Sequence, residues 1–526
     1  MAQRLSKSLK NARVNLLFYG MALILAFFSR RIFLERLGDD FVGLYGTMAS
    51  ILGYLNLAEM GTGAAVSYFL YQPLAQGDWK RIRDIVSLLG KMYQRIGLFV
   101  LVAGALVGIS FIWIFPSAIS SMGWSVVFMA YAALMISALT GYFLNYRQIL
   151  LAADQKNYIV SAYLQGMNLI KVALQICMVK MLAPETAVYA WIMAEMLLTV
   201  AASVLLNIKI KNEYPQLGEL IGQQQGDDSA NNELVVDLKR KVRQVFLHKV
   251  KDFMLRQGDE VWVYMFVSLK MVARYGNYTI IVGKMTLLMN MALDGMTAAV
   301  GNLVAEGNKK HTVEIFWQLT ALRYFIAATM ALCLLMVTPS FIRLWVGPEY
   351  LLSGSVLGLL AAFTWLQTIN GAVYMYLHAY GLYADMWAMY AELGINVILT
   401  VVCGSLWGIE GILVAKVVST LLIITLWKPC YLFSKGLGEP LILYWKGTGK
   451  HILITAISMT IGYAVAMCLG IERVWSWKDL VTHTIVLLVV FISVYIPLAY
   501  YWAPGMKGLM TQGIKILKRK RGSCKQ

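Results

Sequence analysis

Apolar and polar positions alternate along this chain in long blocks, not in single steps. Runs of about 20 mostly apolar residues, the length that crosses a bilayer as a helix, occur near 14–36, 42–70, 92–115, 124–146, 158–180, 186–208, 252–269, 276–304, 314–340, 354–379, 385–406, 411–428, 451–470 and 480–502. The pattern predicts an all-α polytopic membrane protein with 14 transmembrane helices. The first run follows Arg4, Lys7, Lys10 and Arg13 and continues past Phe28 to Arg30 and Arg31 without a small-residue cleavage site. It therefore reads as a retained helix and not as a signal peptide. One connection is long, roughly 209–251, and its centre from Gln223 to Asn232 is polar, as in a linker.

Composition narrows the class. Of 526 residues 59% are hydrophobic and 14% charged, against about 25% charged in soluble domains. An ordinary soluble enzyme and a disordered chain are excluded. The net charge of +18 would suit nucleic acid, but the cations are sided. With the N-terminus in the cytoplasm, cytoplasmic segments hold 32 Lys and Arg and external ones 9. That is the positive-inside distribution, with both termini cytoplasmic. The basic tail Lys515, Lys518, Arg519, Lys520, Arg521 then suits anionic membrane lipid, and no nucleic-acid partner is expected. The six cysteines lack metal-ligand spacing, and Gly90-Lys91, Gly283-Lys284 and Gly449-Lys450 lack the earlier glycine of a phosphate loop. No metal, cofactor or ATP is expected. Asp39-Asp40 is an external acidic pair, but its loop is too short to hold two sugars, so an enzyme is not expected.

The two halves repeat. Gly43-Leu44-Tyr45 recurs as Gly276-Asn277-Tyr278, and Gly61-Thr62-Gly63-Ala64-Ala65-Val66 as Gly295-Met296-Thr297-Ala298-Ala299-Val300. Gly77-Asp78-Trp79-Lys80 with Asp84-Ile85 recurs as Gly307-Asn308-Lys309-Lys310 with Glu314-Ile315. Helix 2 thus resembles helix 8, an even separation that keeps both copies in one orientation. The expected organisation is an N-terminal lobe of six helices over 1–210, a cytoplasmic linker over 211–245, a C-terminal lobe over 246–434, helices 13 and 14 over 435–503, and a basic cytoplasmic tail over 504–526.

Polar stripes run along several spans. Lys249, Asp252, Arg256, Asp259 and Glu260 share a face of helix 7; Ser161, Gln165, Asn168, Lys171 and Gln175 share one of helix 5. Helix 10 carries Gln367, Asn370, Tyr374 and His378, and helix 11 carries Glu392, Asn396 and Thr400. Helix 2 holds Glu59 and helix 8 holds Asp294 beside the paired glycines Gly61 and Gly295. Such faces cannot meet lipid and must line protein or water. Two lobes around an aqueous cleft is the simplest arrangement. Each residue also has a plainer role: Arg256 is four residues from Asp252 and Glu260, His378 suits hydrogen-bonded packing, and Arg30, Arg31 and Arg343 suit lipid headgroups.

A family resemblance follows from ordered motifs over about residues 30–415. Arg31-x-x-Leu34-x-x-Leu37-Gly38, Gly43-Leu44-Tyr45, Leu57-Ala58-Glu59-Met60-Gly61-Thr62-Gly63 and Pro73-Leu74-Ala75 resemble the start of polysaccharide transporters. These are the Wzx-type oligosaccharide-lipid flippases, relatives of the MATE drug exporters. Trp345-Val346-Gly347-Pro348-Glu349-Tyr350 and Trp407-Gly408-Ile409-Glu410-Gly411-Ile412 resemble later motifs of that family. The resemblance implies a MATE-like pair of six-helix lobes plus helices 13 and 14, acting as a monomer in a bacterial inner membrane. It implies movement of undecaprenyl-diphosphate-linked oligosaccharide outward for surface polysaccharide such as O-antigen or capsule, beside a polysaccharide polymerase and assembly proteins. The cations implied to meet the diphosphate are Arg30, Arg31, Lys171, Arg256, Lys284 and Arg323. The interior acids Glu59, Asp259, Glu260 and Asp294 suit ion coupling and keep open a cation-coupled exporter of small molecules.

Overall fold

The computed structural model describes residues 2–56, 62–216, 258–382, 385–471, 474 and 476–512. They form an all-α polytopic membrane protein. Among the described residues, eleven helices are long and apolar enough to cross a bilayer. Three of the fourteen expected spans fall short of that measure. The run 42–70 is divided between helices ending at Leu55 and starting at Thr62; the run 252–269 is described only from 258; and the run 276–304 is interrupted by Asn277, Lys284 and Asn290.

By its internal contacts the chain divides into two compact units, Met1–Tyr264 with Ser268–Ala273, and Met265–Val267 with Arg274–Gln526. The first contains α1 (Ala2–Leu37), α2 (Asp39–Leu55), α3 (Thr62–Gln76), α4 (Trp79–Ile114), α5 (Pro116–Met122), α6 (Trp124–Phe143), α7 (Gln148–Ala153), α8 (Asn157–Met181), α9 (Pro184–Glu213) and most of α10 (Asp259–Phe266). The longest packing seams join α1 to α8, α8 to α9, α6 to α9 and α4 to α6. The α8–α9 hairpin turns at Leu182 and Ala183, both extended, and Pro184 opens α9 where its missing N–H costs nothing. One apolar core gathers Ile82, Leu89, Tyr93, Tyr142 and Leu206; a second gathers Phe41, Met48, Phe111, Val127 and Trp191.

Helix α4 starts thirteen residues before the expected span at 92. At 1.5 Å per residue it runs to about 54 Å, well over the ~30 Å hydrocarbon thickness. The extra turns are held because Ile82, Ile85, Val86, Leu89 and Tyr93, at helical spacing, are buried. Lys80, Arg81, Lys91 and Arg95 remain exposed.

The second unit holds α11 (Leu269–Ala305, whose first turns belong to the first unit), α12 (Lys309–Leu332), α13 (Thr338–Trp345), α14 (Gly354–Ile369), α15 (Gly371–Ala379), α16 (Met386–Trp407), α17 (Ile409–Ser419), α18 (Lys428–Leu432), α19 (Leu441–Leu469) and α20 (Trp477–Trp502). Wide π-helical turns at Cys333–Val337, Thr420–Trp427 and Phe433–Leu437 interrupt its helices. Helices α19 and α20 are fixed to α12 through Ala321, Leu332, Ile454, Leu487, Phe491 and Tyr495.

The repeat is visible in backbone detail. Gly77 and Gly307 adopt φ of 71° and 72°, a left-handed conformation that glycine takes without penalty. The next residue then caps its helix: the Asp78 carboxylate accepts from the Arg81 amide at 3.0 Å, and the Asn308 side chain accepts from the His311 amide at 3.2 Å.

Candidate functional site

In the first unit the polar stripe of α8 faces its neighbours. Ser161 donates to Asn15 of α1 at 2.6 Å, and nearly three turns beyond it Lys171 meets Glu195 of α9, Nζ to Oε1, at 2.6 Å. The side chains are only 12% and 11% exposed. Gln175, one turn after Lys171, donates to the other carboxylate oxygen at 3.1 Å and to the Trp191 carbonyl at 3.2 Å. The Tyr45 hydroxyl of α2 lies beside the same carboxylate. Trp191 lies one turn before Glu195, with the rings of Phe33, Phe41 and Tyr45 edge-on to it at 5.8, 5.5 and 4.8 Å. Its indole N–H is buried without a hydrogen-bond partner.

The other candidates of this unit lie elsewhere. Arg30 is half-buried and donates to the Ala273 carbonyl at 2.9 Å. Arg31 pairs with Glu35 one turn on at 2.7 Å, both side chains more than half exposed. Asp259 and Glu260 open α10, where Ser50 of α2 donates to the Glu260 carboxylate and the charges of both acids reach the Tyr54 phenol. Acids in a first turn suit the positive end of a helix dipole. Glu59 and Arg256 lie outside the described residues, and so does the side chain of Asp294.

The second unit arranges its polar groups differently. Arg323 of α12 is 8% exposed; one guanidinium nitrogen reaches the Thr368 carbonyl at 3.4 Å and another the Met375 sulfur at 3.6 Å. Thr368 sits where the expected helix 10 breaks into α14 and α15 at Asn370. That break frees carbonyls at the C-terminal end of α14, and a cation there is favoured by the helix dipole. Gly371 permits the approach, since a Cβ there would overlap the guanidinium. Asn370 donates to Leu366 O at 2.8 Å and to Thr425 of the π-helical turn at 2.9 Å, which ties the break to the wide turn. The expected stripe Glu392, Asn396 and Thr400 is buried, with Asn396 donating to Ser419 at 3.2 Å. Lys284 is half-buried on α11, and His378 is exposed at the end of α15. The stripe reading missed Lys428, which pairs with Asp385 at 2.8 Å, and Trp427, which donates to the same oxygen at 3.2 Å.

No family model and no curated relative matches the sequence. Solved structures do. "Lipid II flippase MurJ, inward closed conformation" aligns over 92% of this chain and 98% of its own, with 12% identity and a TM-score of 0.57. A multidrug-resistance MATE transporter of the MOP superfamily, in an inward-facing conformation, aligns over 81% and 98%, with 14% identity and a TM-score of 0.50. This is the MATE-like fold. Within that fold the interior cations are differently placed: Lys171 is neutralised by a carboxylate of the adjoining helix, whereas Arg323 donates to a carbonyl and a thioether. The signal for Glu195 was available in the hairpin, because Lys171 and Glu195 each lie twelve residues from Ala183 at its turn.

Proposed function

We propose that the chain moves a polyprenyl-diphosphate-linked oligosaccharide outward across a membrane by alternating access. The observation that carries this reading is the fold likeness to a lipid II flippase over nearly the full length of both chains. It is supported by the order of the polysaccharide-transporter motifs and by interior cations of a kind that suits phosphate. Arg30 and Lys171 of the first unit are the described residues we assign to that anion. A diphosphate carrying about two charges, moved out against ~100 mV negative inside, gains roughly 4–5 kcal/mol. That supplies a drive without ion coupling.

The test is reconstitution. Vesicles carrying the protein and a fluorescent polyprenyl-diphosphate oligosaccharide should expose it to a membrane-impermeant lectin faster than protein-free vesicles. In cells, depletion should accumulate lipid-linked oligosaccharide on the inner side. Efflux of cationic dyes driven by a proton or sodium gradient, with no lipid movement, would replace this reading with the small-molecule exporter. The acidic pair Asp259 and Glu260 is the observation that favours that second reading.

A further inference from the structure

We infer that Glu195 is a built-in competitor for the substrate's phosphates. Its carboxylate holds, on Lys171, Gln175 and Tyr45, the place that a phosphate oxygen takes when substrate engages the first unit. The inference rests on the diphosphate reading above and adds how that site is kept in check.

The donor set is the first argument. An ammonium and an amide from α8 and a phenol from α2 converge on one carboxylate from α9. One charged and two neutral donors suit a phosphate as well as a carboxylate, because both are oxyanions that accept several bonds at once. A second argument comes from Trp191. It is only 7% exposed, and its indole N–H is an unused donor on the same helix, one turn before Glu195. Glu195 is already bonded by Lys171 and Gln175 with the Tyr45 phenol beside it, and a larger anion with more oxygens uses the indole donor as well.

The surroundings hold the donors when the carboxylate withdraws. Gln175 keeps its bond to the Trp191 carbonyl, and Trp191 is packed against three aromatic rings. The site is therefore built before the ligand arrives. A lone lysine inside a membrane protein is costly, and Glu195 offsets it during the part of the cycle without substrate. A diphosphate has more charge and more acceptor atoms than Glu195, so it displaces the carboxylate. It binds more weakly than it would to an uncompensated lysine, which favours release on the far side.

The experiment uses the full chain in nanodiscs with farnesyl diphosphate as probe and farnesol as control, read by affinity and by ligand-induced melting shift. Glu195→Gln removes the charge but keeps one acceptor oxygen, enough for Gln175. It should bind farnesyl diphosphate about tenfold more tightly than the native chain, with a larger melting shift, because the ligand supplies the missing anion. Lys171→Gln should bind more weakly, and the double variant should be no tighter than Lys171→Gln alone, since the gain passes through the lysine. Native affinity in folded Glu195→Gln, or a gain that persists without Lys171, overturns the inference. Where Glu195→Gln does not fold, Glu195→Asp retracts the carboxylate and should still raise affinity severalfold; no rise again overturns it. A native chain that moves the lipid-linked oligosaccharide while Glu195→Gln gains nothing refutes only the role of Glu195. No diphosphate binding by any variant together with no lipid movement refutes the diphosphate reading itself.

Discussion

The turns that open α4 and α12 are one turn made twice, while the interiors of the units that contain them have diverged. Gly77-Asp78 and Gly307-Asn308 place a left-handed glycine before a side-chain cap with nearly equal φ and bond lengths. Inside, the first unit joins Lys171 to an acid from its hairpin partner. The second unit instead lays Arg323 on a carbonyl at a helix break, and moves its buried lysine–carboxylate pair to Lys428 and Asp385, beside the end of a π-helical turn. The difference separates two kinds of constraint. Helix ends must satisfy backbone groups in one of few ways, so a repeat keeps them. Interior charges need only some compensation, so each unit is free to find its own.

The largest effects should come from breaking that compensation. Lys171→Ala or Glu195→Ala leaves one buried charge alone, and a loss of about 3–5 kcal/mol is expected for each. Thermal unfolding in detergent measures it. Replacing both by Met should recover most of the loss, since two apolar residues need no partner. Lys428→Ala should behave like Lys171→Ala if the pairs are equivalent. A double replacement in the first unit no better than either single one would show that the cost lies in packing, not charge.

Next in size is the close approach at the break. A side chain at Gly371 would overlap the buried Arg323 guanidinium, and Gly371→Val should cost about 1–3 kcal/mol or more through overpacking. Pairing it with Arg323→Met, which is shorter and flexible at its end, should relieve part of that cost. No change in melting on Gly371→Val would mean that Arg323 moves aside freely.

Smaller effects test the shared turns. Asp78→Ala and Asn308→Ala should each cost about 1 kcal/mol, the usual value of an N-cap, and should agree within a few tenths. A clear inequality would show that the two turns carry different loads despite equal geometry.

The helices were legible because hydrophobic length is a local property. The run 158–180 became Asn157–Met181, and 385–406 became Met386–Trp407. Boundaries failed where a helix outlasts the membrane: α4 and α19 begin well before their apolar runs because amphipathic turns such as Tyr444, Thr448 and His451 bury one face in protein. The site was only half legible. Helical spacing found Lys171 and Gln175, since they share one helix. It gave no weight to Glu195, which stands alone between Ala194 and Met196, because its partners come from another helix and are related only by reflection through the turn. Arg323 was found as a cation, but its carbonyl partner depends on a break that no spacing marks.

The smallest effect concerns a clamp that has no counterpart of equal build among the described residues of the second unit. Lys156, between α7 and α8, bridges Asp154 and Glu213 at 2.9 Å each and lies 4.9 Å from the Tyr214 ring centre, while the Tyr214 phenol donates to Asp154 at 2.9 Å. The Lys156 side chain is 19% exposed and its acidic partners are 25% exposed, so solvent screens the pairs and Lys156→Ala should cost at most about 1 kcal/mol. The pH dependence has a definite sign. Burial lowers the Lys156 pKa, but hydrogen bonds and charge from Asp154 and Glu213 outweigh it and leave the value above the ordinary 10.5. Burial first, and the Asp154 charge next, raise that of Tyr214. Both groups hold their protons more tightly folded than unfolded, so their contribution is complete below the unfolded values and is lost as pH climbs through the folded ones. Melting curves of the native chain and Lys156→Ala should therefore differ by a constant amount from about pH 6 to pH 9, converging above the ordinary lysine range and again in acid, where Glu213, whose pKa Lys156 lowers, takes up its proton. Convergence already between pH 6 and pH 9, where all three charges are present, would show instead that the ion pairs do not set the strength of the clamp.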